Sequence, residues 1–287
     1  MADQIGMEDI RGEKIDKAVK GFATQSFKLK QVCMLASSSD WKESYYIETG
    51  AELTATDSGG GFAVQGTGRL SAFPNLEPSW TKSSSYHVKH AGEAVISWED
   101  YLTSAIDVSA RTLLRVGRAI AYSVDNAIYD VITANASVNT LSASDTWDSA
   151  TIQNRDPIGD IAHGIEYCAV DNYDVLEDGY ILMNPENYTN LIMNQKVIQN
   201  PSFKSGVMEN GKRGEIMGLK IIVSNSIDAD EVCIIKGQEA VTYKTAQPLR
   251  TALIKDEGVK YQIRAWEIGI TMVTNPEAIH IITNTEL

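Results

Sequence analysis

The segment closest to a chemical signature is Gly206–Arg213, GVMENGKR, which matches the G-x-x-x-x-G-K pattern of a phosphate-binding loop. That chemistry needs a Ser or Thr hydroxyl after the lysine to hold magnesium, a buried strand before the loop and a helix after it. Arg213 stands at the hydroxyl position, Asn200-Pro201-Ser202-Phe203-Lys204 is no buried strand, and Gly214 opens no helix. The segment reads as a flexible basic loop. His87 and His90 have an H-x-x-H spacing. On an alternating strand the two rings point to opposite faces, so they cannot share a metal there. His163 and His280 are isolated, and no third ligand is identifiable.

Cys33, Cys168 and Cys233 are odd in number and far apart, so they form neither a disulfide framework nor a zinc site, and each reads as a small buried hydrophobe. There is no G-x-S-x-G elbow, H-E-x-x-H, G-x-G-x-x-G or C-x-x-C. Asn135-Ala-Ser137 and Asn187-Tyr-Thr189 match the glycosylation pattern, which has no meaning without secretion. The adjacent acids Glu99-Asp100 are explained by a helix start. No catalytic residue, cofactor site or metal site is assigned, and the chain is expected not to be an enzyme.

The 287 residues, 43% hydrophobic and 22% charged, suffice for one or two packed domains. No apolar run approaches the ~18 residues of a spanning helix, so no membrane association is expected. The N-terminus, MADQIGMEDIRGEK, has acids where a signal peptide carries basic and apolar regions, so a cytoplasmic origin is expected. The net charge of -13 argues against gripping nucleic acid by neutralising phosphates. It does not exclude a container for nucleic acid, since a wall that repelled the contents slightly would let them slide and repack. Acids concentrate between Asp145 and Asp178 with only Arg155 against them, a run expected to be a solvated face.

Several elements are legible in the patterning. Residues 1–40 read as an arm: a short helical pattern over 7–20 ended by Gly21, a strand in FKLKQVCML, then a break at Ser37–Asp40. Ser44–Thr49 and Ser83–His90 read as strands, the second with Tyr86, Val88 and His90 on one face. They flank a long Gly/Thr/Ser-rich excursion that includes Gly59-Gly60-Gly61. Ser97 is a plausible N-cap for a helix from Trp98 to about Thr133, with an apolar stripe of Leu102, Ile106, Leu113, Val116, Ile120, Val124, Ile128 and Val131. At ~1.5 Å per residue such a helix is on the order of 50 Å long, a spine more than a globular element.

Asp156–Asp171 predicts a helix with Pro157 in its first turn, and Pro185–Asn194 a second one. Residues 195–217 read as a loop. Strands are predicted at Tyr180–Met183, Gly218–Ser224, Glu231–Lys236, Glu239–Lys244, Val259–Thr274 and Ile279–Thr283. Helices and strands are segregated, which gives the α+β class.

The order of these elements resembles the HK97-like major capsid proteins of tailed double-stranded DNA viruses. Ile96–Ser104 with Asp107 is similar to the family's opening of its spine helix, and Ala121–Ile128 (AYSVDNAI) to a later turn of it. Tyr180–Tyr188 (YILMNPENY) resembles a strand-to-helix element of that family. Gly218–Ser226 resembles another of its strands, with Lys220 where a small residue or proline is usual. Gly258–Ile282 is similar to its closing strands.

The resemblance implies an HK97-like capsid fold with residues 1–40 as N-arm, 41–97 as E-loop and 98–148 as peripheral domain with the spine helix. It places the axial domain at 149–256 and the peripheral return strands at 257–287. The implied function is a structural major capsid subunit that self-assembles into hexamers and pentamers, forming an icosahedral shell around packaged double-stranded DNA. Portal, scaffold or decoration proteins are implied partners. Because Met1 falls just before the arm, a separate scaffold or none is expected. A covalent join between Lys82 or Lys89 and Asn275 or Asn284 of a neighbouring subunit can be envisaged by analogy. The alternative is an encapsulin-like nanocompartment shell, which shares the fold and encloses protein; a soluble enzyme is the third reading.

Overall fold

The structure is a computed structural model that describes residues 27–48, 54–55, 68–73, 76–77, 80–103, 108–198, 215–256 and 258–286. The helical pattern at 7–20, the Gly59–Gly61 tip and the Gly206–Arg213 loop lie outside the described residues. In chain order the strands are β1 Met34–Ser37, β2 Lys42–Glu48, β3 Thr54–Ala55, β4 Leu76–Glu77, β5 Trp80–Tyr86, β6 Val88–Ser97 and β7 Asn139–Ser142. They continue with β8 Gly179–Met183, β9 Glu215–Ile216, β10 Leu219–Val223, β11 Glu231–Lys236, β12 Val241–Asp256, β13 Lys260–Val273 and β14 Ile279–Thr283. The longer helices are α1 Trp98–Thr103, α2 Val108–Thr133, α3 Pro157–Val170 and α4 Pro185–Met193.

Two sheets organise the molecule. One has the order β1-β12-β13-β6, with long antiparallel ladders between β12 and β13 and between β13 and β6. The other is mixed and runs β7-β14-β11-β8-β10-β9. Its central strands read as nearly unbroken apolar runs (Ile181–Met183, Val232–Ile235, Ile279–Ile282) because both of their faces are buried. Sheet membership crosses the expected boundary at 256/257. Residues 241–256 pair with β13 in the first sheet, and residues 279–283 sit between β7 and β11 in the second.

α2 lies across β6 and β13 and buries Leu113, Val116, Ile120, Val124 and Ile128, the stripe expected from spacing. Of the helix expected from 98 to 133, residues 98–103 form α1 and 108–133 form α2, and 104–107, with Ile106 of the expected stripe, lie outside the described residues. α2 alone, at 26 residues, is about 39 Å long. Leu102 on α1 is exposed and does not continue the stripe. Ser97 caps α1, its Oγ accepting from Asp100 N at 3.0 Å. Asp156 caps α3 in the same way, accepting from Gly159 N at 3.1 Å, with Pro157 at the first position.

Three strand expectations are corrected. FKLKQVCML is not one strand but a 3-10 turn, Leu29–Gln31, followed by β1. The N–H groups of Lys28 and Leu29 go to the Asp125 carboxylate instead of a ladder. Ser83–His90 is broken at His87, where the chain passes from the β2–β5 ribbon into the β13–β6 ladder. His87 is buried there and Val88 exposed, so the expected alternation fails. The strand at Glu239–Lys244 extends to Asp256, because Pro248 is accommodated at a register irregularity between Gln247 and Arg250. Within the expected loop at 195–217, Gln195–Ile198 is a helical turn and Glu215–Ile216 forms β9.

Candidate assembly surface

β2 and β5 pair antiparallel from Lys42↔Tyr86 to Glu48↔Trp80 and form a separate two-stranded sheet. β3 and β4 continue the excursion with Thr54↔Glu77 and Ala55↔Leu76. Trp41, Tyr46, Trp80 and Tyr86 are all more than half exposed on or beside this ribbon. Tyr46 and Trp80 meet with ring centroids 6.3 Å apart, and Lys42 Nζ lies 5.5 Å from the Tyr86 ring. A two-stranded ribbon is marginal in water. Exposed aromatics concentrated on such an element mark an interaction surface.

The ribbon's root is polar and fixed. Glu43 on β2 is buried, with Oε2 2.9 Å from Lys244 Nζ on β12, and it also accepts from Ser38 Oγ. These bonds, Ser38 first and Lys244 next, hold its carboxyl below the usual range. His87 Nε2 lies 3.7 Å from Glu43 Oε1. A backbone bond from Glu48 N to Thr274 O, 2.9 Å, joins the far end of β2 to the body.

A second polar assembly fastens the segment before β1 to α2. The Asp125 carboxylate is 2% exposed and accepts from Lys28 N at 2.9 Å through one oxygen and Leu29 N at 3.2 Å through the other. Burial pushes its pKa up to about 6, against the opposing effect of those two bonds. Beneath it Lys30 pairs with Glu267, which also accepts from Tyr243 Oη at 3.0 Å. His90 Nδ1 lies 3.0 Å from Ser123 Oγ, and burial lowers the pKa of its ring.

The chemistry available to these groups is structural. Burial pushes the thiols of Cys33 and Cys168 up to about 12 and raises that of Cys233 further, so none is a ready nucleophile. His87 and His90 are both buried, one at the ribbon root and one under α2. Among the described residues no three His, Cys, Asp or Glu side chains converge to hold a metal. Lys82 and Lys89 are exposed, whereas Asn275 is buried.

One acid of the 145–178 run is not solvated. Asp160 is buried and accepts from Ser144 N, Ser144 Oγ and Trp147 Nε1 at 3.1, 3.0 and 2.9 Å. The fully buried Trp147 requires an acceptor for its indole N–H, and Asp160 supplies it.

Residues 82–282 match the family described as "Phage capsid protein", and the chain belongs to it. It is a structural subunit of a capsid shell with the HK97 fold. No curated protein sequence matches the chain. Among solved structures, a virus-like particle from Pyrococcus furiosus aligns with TM-score 0.65 and 13% identity, over 95% of this chain and 99% of that one. The structure titled Mycobacterium phage Che8 aligns with TM-score 0.62 and 16% identity, over 85% of each chain. The capsid of the cyanophage P-SCSP1u gives 0.61 and 17%, over 91% and 90%.

Proposed function

We propose that this capsid subunit assembles into hexamers and pentamers that close an icosahedral shell around double-stranded DNA in a virion. The carrying observation is the β2–β5 ribbon, which stands as its own two-stranded sheet with Trp41, Tyr46, Trp80 and Tyr86 exposed. Burying those rings on a neighbouring subunit gives the ribbon packing that it lacks among the described residues.

In this reading 41–97 is the E-loop and the segment leading to β1 is the end of the N-arm. The sheet β1-β12-β13-β6 with α2 is the peripheral domain, and the sheet β7-β14-β11-β8-β10-β9 is the axial domain. The axial domain then includes 279–283, and the peripheral domain includes 241–256. The role is structural, not enzymatic. Assembly takes place in the host cytoplasm, with portal, scaffold or decoration proteins as partners. The family match supports a virion over a protein-filled compartment.

Negative-stain microscopy of the purified protein tests the proposal. Closed shells, tubes or rings are expected, and a strictly monomeric protein under all conditions would sink it. Deleting residues 55–66 should leave soluble subunits or capsomers that do not close into shells.

A further inference from the structure

We infer that the outward face of the first half of α2 is a contact surface for the phosphate backbone of duplex DNA, formed by Arg111, Arg115 and Arg118. This rests on the reading of the protein as a DNA-enclosing shell and assigns the side of the subunit that meets the DNA. The three side chains are exposed. Offsets of four and seven residues put them within a ~60° arc, and the rise of ~1.5 Å per residue spreads them over about 10 Å. Among the described residues none of them has a carboxylate partner. From Val108 to Val124 the helix contains no Asp or Glu, and its next acid, Asp125, is buried against the opposite element.

Among the described residues of α2 no acid stands at i±3 or i±4 from any of the three arginines. Like charges at i,i+4 and i,i+3 repel each other on a helix. Arginine is moreover the cation suited to phosphate, with a planar fork of donors.

The net charge of -13 does not cancel the stripe, because charges beyond the Debye length, ~10 Å at 0.1 M salt, are largely screened. The wall as a whole repels DNA weakly, and this helix face offers it a point of attachment. No base-reading element accompanies the arginines, so the contact is independent of sequence.

The test measures binding of unassembled full-length subunits to a fluorescent 30-base-pair duplex across a salt series, with microscopy of assembly in parallel. Wild type should bind at low salt, and affinity should fall steeply as salt rises. Arg111→Gln with Arg115→Gln and Arg118→Gln should weaken binding at every salt concentration. The slope of log K against log salt should become shallower by roughly 2.7, or about 0.9 for each phosphate no longer neutralised. The triple Arg→Lys variant should retain most of the slope. Equal affinity and slope in wild type and the triple Gln variant, or no binding by wild type, would overturn the inference. So would a triple Gln variant that binds DNA normally but forms no shells, since the stripe would then seat a neighbouring subunit. A wild type that forms no shells under any condition refutes the shell reading, while the salt slopes still decide the arginines.

Discussion

Asp125 interrupts the apolar stripe of α2, and its two hydrogen bonds explain why a charge is kept there. Each carboxylate oxygen receives one backbone N–H, from Lys28 and from Leu29. An amide has one oxygen, so Asp125→Asn turns an NH2 group toward one of those N–H groups and leaves a buried donor unpaired. The unpaired donor costs ~1–3 kcal/mol, and removal of the buried charge offsets it at neutral pH, so the loss of stability should be largest at acidic pH, measured by chemical denaturation across a pH series. Faster reaction of Cys33, buried in the wild type, with a thiol reagent should accompany it. Asp125 also has an unusual sign in its pH dependence. Its pKa rises from 3.8 to about 6 on folding, so the native state binds the proton more tightly. Stability from this group is full below pH 3.8 and is lost as pH rises through 6, a change of ~3 kcal/mol. His280 acts the other way. Buried against Tyr167, with no hydrogen-bond partner for either ring nitrogen among the described residues, it falls from 6.5 to about 4. Stability from it is full above pH 6.5 and is lost as pH falls through 4. The unfolding free energy of wild type minus that of His280→Gln should therefore fall by ~3 kcal/mol between pH 7 and pH 4. A difference independent of pH would remove His280 from the acid response. Neither role was legible in the sequence: Asp125 stood within a resembling segment without a partner, and His280 looked merely isolated. The partners lie 96 and 97 residues from Asp125, beyond the reach of local pattern.

At the scale of elements, what could be read followed from periodicity and punctuation. α3 begins at Pro157, α4 begins at Pro185, and β11 and β14 coincide with their expected spans because apolar runs and turn residues bound them. What escaped was decided by tertiary pairing. β7 is four residues with little apolar content, and it exists because β14 offers it a parallel edge. β12 runs past Pro248, which reads locally as a break, because β13 lies alongside for its whole length. The packing of α3 onto the second sheet gives a test at this scale. Gly164 faces β11 and β14, and a Cβ there would lie 2.5 Å from Ile234 Cδ1 and 2.9 Å from His280 Cδ2. Alanine improves helix propensity by ~1 kcal/mol, but overpacking a filled core costs ~1–3 kcal/mol. Gly164→Ala should thus be destabilising or at best neutral in denaturant unfolding. Stabilisation by a full kcal/mol would mean that α3 stands off the sheet.

For the whole molecule, two surfaces are exposed for reasons their own chain does not supply, the aromatic ribbon and the arginine face of α2. Both are made of residues whose individual exposure is ordinary, and only their clustering sets them apart. Composition could not reveal this, since a charge of -13 and an 8% aromatic content describe the average surface. The elements most diagnostic of a shell are therefore those least able to stabilise the subunit alone, which separates assembly from folding. Tyr46→Ser combined with Trp80→Ser makes that separation measurable. Both rings are more than half exposed and lie 6.3 Å apart, so their loss should change the subunit's unfolding free energy by less than ~1 kcal/mol. Buried between subunits, each ring would contribute several times what it does in the free subunit. The double variant should remain a folded, soluble protein by circular dichroism while sedimentation velocity shows the shell peak replaced by small species. Shells in normal yield would show that the ribbon's aromatics are not the assembly contact, and a subunit that unfolds would show that they belong to its own core.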